Sequence, residues 1–144
     1  MSNSSALDFA LQGEVTAPTP IQSWRQQWFG TVANSGAAAD TAIASSDGMP
    51  NLLKYAFGLD PLVPTNSPIV ADISTGYLRV TLPKNPNATD VSFHVQVTGD
   101  LTQPWTTNGT TIDQNTATLL QVHDNTAVGT AMGGRFMRLQ VFRF

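Results

Sequence analysis

Apolar residues along this chain repeat with two different periods. In "PIQSWRQQWFGTVA", Ile21, Trp24, Trp28 and Val32 recur at offsets of 3, 4 and 4, with Phe29 beside them, which predicts an amphipathic helix. Thr19 followed by Pro20 marks its start, a capping residue and then proline in the first turn. A second helix is predicted from about Pro50 to Phe57, opening near Asp47, with Met49, Leu52, Leu53, Ala56 and Phe57 as its apolar face. Gly58 is read as its left-handed stop, and Pro61 prevents resumption. From Pro68 onward the period becomes two. "YLRVTLP", "VSFHVQVT" and "RFMRLQVFRF" alternate strictly and "TATLLQVHD" less so, which predicts strands with one apolar and one polar face. "PKNPNATD", "TGDLTQPW", "TNGTTIDQN" and "HDNTAVGTAMGG" are read as turn-rich connections. At the N-terminus, "ALDFALQG" sets Leu7, Phe9 and Leu11 against Asp8, Ala10 and Gln12, another strand pattern, and "EVTAPTP" reads as an extended linker.

The expected architecture is α+β: a short N-terminal helical hairpin on an antiparallel β-sandwich of about six to eight strands. The expected units are residues 1–18 as strand and linker, 19–61 as the hairpin, and 62–144 as the sandwich. Two helices alone cannot bury their stripes, so the hairpin is expected to cover one end or edge of the sheets.

Composition narrows the function classes. With 144 residues and no cysteine, the chain carries no disulfide framework and no thiolate metal site. Charged residues make up 12%, against about 25% in ordinary soluble domains. Threonine occurs 18 times and glutamate once, at Glu14, which favours strands and turns. The net charge is −3, and Arg135, Arg138 and Arg143 are too few to track a phosphate backbone, so nucleic acid is not an expected partner. No apolar run reaches the ~18 residues of a membrane span. No signal peptide is read in "MSNSSALDFALQGEV", which has no basic stretch followed by a long apolar one.

"SWRQQWFGTVANSGAAADTA" followed by "SSDGMPNLLKYAFGLDP" resembles a module found near the C-termini of many large secreted bacterial proteins. Its pattern is a W-R-x-x-x-F-G helix, a small-residue stretch, and then D-x-D-x-D-G-L-x-N-L-x-E-Y-A-x-G-x-D-P. "FHVQVTGDLTQPW" and "GGRFMRLQVFRF" are similar to that module's D-L-x-x-W element and final strand. The loop is also similar to thrombospondin type 3 and dockerin-like calcium loops. Here it departs from them, since Ser45 and Ile43 stand two and four positions before Asp47, and Lys54 falls where the pattern has glutamate. Calcium takes about 6–8 oxygen ligands, and Asp40, Asp47 and Asp60 are not at ligand spacing. The loop is therefore read as degenerate: no metal and no cofactor, with Asp47 as a helix cap, Gly48 as a turn and Lys54 as a surface charge. The resemblance implies a secreted or cell-surface protein.

Catalytic motifs are absent: no G-x-S-x-G, P-loop, H-E-x-x-H or Rossmann glycine pattern occurs. The leading expectation is a non-catalytic accessory module of an exported bacterial protein, binding a polysaccharide or a cell-surface partner. Trp105, Tyr77 and Asn108 are the residues expected to touch a sugar, and the Trp24–Trp28 pair is read as core. One alternative is a self-associating structural subunit, a homo-oligomer built through sheet edges or the "ALDFALQG" strand. The other is a small enzyme with a site around His94 and His123, beside Asp124.

Overall fold

The computed structural model describes residues 13, 15–130 and 133–144. Among these the chain forms α1 (Pro20–Phe29), a 3-10 turn (Gly36–Ala38), α2 (Asn51–Phe57) and six strands. The strands are β1 (Val70–Asp72), β2 (Tyr77–Pro83), β3 (Val91–Thr98), β4 (Thr110–Asn115), β5 (Leu119–Ala127) and β6 (Phe136–Arg143). One antiparallel sheet has the order β1-β2-β5-β4, and a second pairs β3 with β6. The α+β class and the antiparallel sandwich are thus as the periodicity predicts. The predicted N-terminal strand, residues 6–13, lies outside the described residues apart from Gly13.

Thr19 caps α1 as expected. Its hydroxyl accepts from Gln22 N at 3.4 Å, and Gln22 Oε1 accepts from Thr19 N at 2.9 Å, closing a capping box. The helix is shorter than its apolar spacing suggests. Gly30, at φ 70°, ends it, so Val32 leaves the stripe and is 45% exposed. Arg25 is buried on that face instead, paired with Asp40. Trp24 packs on Tyr55 and Phe29.

The sandwich core consists of Leu82, Val95, Leu120 and Val122, with Phe57 of α2 inserted from the helical side. These are the inward positions of strict alternation. Two strands were not anticipated. The three residues of β1 are too few to show a period. In β4, "TTIDQN" has one apolar residue among polar ones and was read as a connection; its pairing with β5 makes it a strand.

The helical unit caps the end of the sandwich where β2 gives way to β3, and Asp90 is the joint. Its Oδ2 accepts from Ile21 N at 3.1 Å, and its Oδ1 accepts from the Tyr55 hydroxyl. One carboxylate thereby ties α1, α2 and the start of β3. Burial, reinforced by Asp90, holds the Tyr55 phenol well above the ordinary tyrosine range. Tyr55→Phe removes this hydrogen bond at constant volume and is expected to cost about 1–3 kcal/mol. Denaturant unfolding measures it, and an unchanged midpoint would show that the joint is held elsewhere.

Candidate functional site

The two sheets are unequal, and the inequality makes the site. Among the described residues two strands face four, so part of the larger sheet's inner face has no described strand above it. The uncovered space is a cleft of about 720 Å³ between β3 and β4. Its floor is apolar: Leu120 and Val122 from β5, Ile112 from β4, and Val91, Phe93 and Val95 from β3. Ile112 sits on the inner face opposite Val122 yet is 59% exposed. The rim carries Lys84, Asn85, Ser92, His94, Thr110 and Asn115. Lys84 is held there by Asn115 Oδ1 (2.8 Å) and the Thr116 carbonyl (2.9 Å).

Local chain geometry explains why the cleft is open. After β3 the chain doubles back and pairs with it once: Val97 N donates to Thr106 O at 2.9 Å, and Thr106 N donates to Val97 O at 3.1 Å. It then crosses to the other sheet as β4. At the crossing, a Cβ on Gly109 would stand 2.8 Å from Val97 Cγ2, so only glycine passes this close without displacement. The segment that could have extended the smaller sheet is diverted into the larger one.

Among the described residues, the edge of β3 is consequently left unpaired beyond Val97. Backbone N–H and C=O groups of alternate residues point to the same side of a strand. Val97 points both of its groups outward at Thr106, and the β3–β6 register runs without a bulge. Val95, Phe93 and Val91 therefore present theirs to the cleft. A row of main-chain donors and acceptors above an apolar floor is the arrangement that accepts an added strand.

The residues expected to bind sugar do not converge. Trp105 lies on the outer face of the smaller sheet, half-buried, with the Arg138 guanidinium 4.6 Å from its ring centre and Arg138 Nε donating to Gln96 at 2.8 Å. Tyr77 is on the outer face of the larger sheet, its ring 5.4 Å from that of His123. Asn108 is exposed on the crossing, its N–H donating to Thr106 Oγ1 at 3.0 Å. The histidines are also separate. His94 belongs to β3, beside Phe142 and Ser92, whereas His123 belongs to β5, with Nδ1 2.8 Å from Asp113. Asp124 faces away from both and makes a two-point pair with Arg135 at 2.7 Å. Sequence reasoning missed the cleft because its β4 wall carries almost no apolar alternation.

The degenerate loop holds a correction. Lys54 is not a surface charge: its side chain is fully buried. Its Nζ lies 2.5 Å from Asp47 Oδ2 and donates to Val63 O and Thr65 Oγ1, both at 2.7 Å. Asp47 does not cap α2, whose N-cap is Pro50; its carboxylate accepts from Met49 N (2.9 Å) and Thr65 N (2.8 Å). The ammonium thus sits in a cage of oxygens, a place a metal ion could enter only by displacing it. Asp40 and Asp60 take no part. Asp40 binds Arg25 and Asn34, and Asp60 accepts from Leu62 N at 2.8 Å. Among the described residues no three His, Asp or Glu side chains cluster at metal-holding distance.

Comparison with models of known protein families, with curated proteins and with solved structures finds no match for this chain.

Two outcomes follow from the cage. Lys54→Met strands a carboxylate, a carbonyl and a hydroxyl at once, so the melting temperature should fall by roughly 10 °C. Calcium and chelator should leave wild-type melting unchanged, and a calcium-dependent rise would show an ion sharing the cage. The second outcome concerns acid. The Lys54 ammonium and the Met49 N–H hold the Asp47 carboxyl well below the usual carboxylate range. Asp124 is also lowered: burial pushes it up, but Arg135 and the Thr126 N–H outweigh that. At low pH the unfolded chain then binds more protons than the folded one, so stability is lost as pH falls. Unfolding midpoints should hold steady above about pH 5 and decline below about pH 4.

Proposed function

We propose that this chain is a non-catalytic accessory module that binds an extended polypeptide segment by adding it as a strand to β3. The observation that carries this reading is the β3 edge at Val91, Phe93 and Val95, unpaired among the described residues and lying above the apolar cleft floor. Main-chain pairing would supply affinity, and the positions of Ile112, Leu120 and Val122 would select alternate apolar side chains. The resemblance of the helical segment to modules of secreted bacterial proteins supports a setting outside the cell, where the partner is a polypeptide of an exported assembly or a cell surface. The separation of His94 from His123 supports a binding role over a catalytic one. A flat sugar platform has less support, since Trp105 is covered on one face by Arg138 and Tyr77 lies on the opposite outer surface.

The test is hydrogen exchange on the full chain with synthetic peptides of alternating apolar and polar residues. Slowed exchange at Val91, Phe93 and Val95 is expected, together with binding weakened at least ~10-fold by Ile112→Arg, a change at an exposed position. Unaltered β3 exchange would remove the proposal. Saturable polysaccharide binding that survives Ile112→Arg would return the function to sugar recognition.

A further inference from the structure

The chain carries a segment that fits its own cleft. We infer that residues 6–12 of a second copy occupy the space between β3 and β4, joining two chains by strand exchange; the inference rests on the strand-accepting reading of the cleft. Three observations favour this occupant.

The first is pattern and length. "ALDFALQ" places Leu7, Phe9 and Leu11 on one face, which suits the floor formed by Ile112, Leu120 and Val122. Seven extended residues span about 23 Å, and the six residues of β4 that wall the cleft span about 20 Å.

The second is charge. Among the described residues lining the cleft, Lys84 is the charged one and none is a carboxylate. Residues 1–14 carry Asp8 and Glu14 and no lysine or arginine. With the apolar face inward, Asp8, Ala10 and Gln12 point to solvent and the rim.

The third is the route of the chain, which favours a neighbour over the same molecule. Ile21 N is fixed to Asp90, the residue before β3, so the linker departs from the end of the sandwich where the cleft begins. Val15 to Thr19 are exposed, Val15 at 97%, and Pro18 and Pro20 restrict the backbone to extended conformations there. An exposed, extended linker of this kind suits handing residues 6–12 to a neighbouring copy. Reciprocal exchange closes a two-fold dimer.

Light scattering on the full chain, with variants made in the full chain, tests this. The wild type should have twice the mass of one chain at high concentration. Leu7→Asp with Phe9→Asp disables the donor segment, and Ile112→Arg disables the acceptor cleft. Each variant alone should be monomeric, with wild-type circular dichroism confirming the fold. Mixing the two should restore a one-to-one pair, because one retains a working cleft and the other a working segment. A monomeric wild type, or a dimer that persists in either variant, would overturn the inference. A monomeric wild type whose β3 edge still takes up the alternating synthetic peptides would sink the self-exchange alone and leave the strand-accepting reading standing. If those peptides also fail, both are lost.

Discussion

The helical end of this molecule depends on burying polar side chains in a helix too short to stand alone. α2 has seven residues, about two turns, well under the length at which isolated helices persist in water. Asn51, Lys54 and Tyr55 lie within it, all buried, and each reaches a different segment. Asn51 Nδ2 donates to the carbonyls of Ala37 and Ala39 at 2.8 and 2.9 Å. Lys54 gathers Asp47, Val63 and Thr65, and Tyr55 grips Asp90. The small-residue stretch before the helix, the segment after it and the first strand of the smaller sheet are thereby held by one helical turn. Leu53 and Phe57 face the sandwich core from the same helix. Polar groups fix position here because each one left without its partner inside the protein would cost more than its bond contributes.

That anchoring bears directly on the cleft. Asp90 is both the acceptor for Tyr55 and the residue just before β3, so the position of the β3 edge is set by the helices. At the other end the edge is closed by the Val97–Thr106 pair and the crossing at Gly109. Between those points the strand is supported by β6 on one side and, among the described residues, is free on the other. Among the described residues, four strands over two leave an incomplete layer, and natural sheets rarely leave such an edge bare without covering, twisting or charging it. Here a rim carrying Lys84 borders an apolar floor.

Much of the architecture was legible in the residues. The capping box at Thr19, the stop at Gly58 and the strands at Tyr77–Pro83, Val91–Thr98 and Phe136–Arg143 follow from spacing and turn chemistry. These are local rules, acting between residues a few positions apart. The errors share one origin. Lys54 is read outward because charged side chains seldom lie fully inside; it is buried by a carboxylate 7 positions away in sequence, and Arg25, to which the spacing assigns no place, by one 15 positions away. β4 was missed because its hydrogen bonds come from β5 and its apolar content does not announce it.

The sequence by itself therefore determined the two periods, the turn positions, the absence of thiol chemistry and the class of fold, since each depends on neighbouring residues and elementary sterics. Only the tertiary structure decided that, among the described residues, the sheets hold four and two strands and the edge of β3 lies open, and that Lys54 fills the oxygen cage. Those outcomes depend on which distant segments meet, and no local spacing encodes the crossing that sends the chain past Val97 into the opposite sheet.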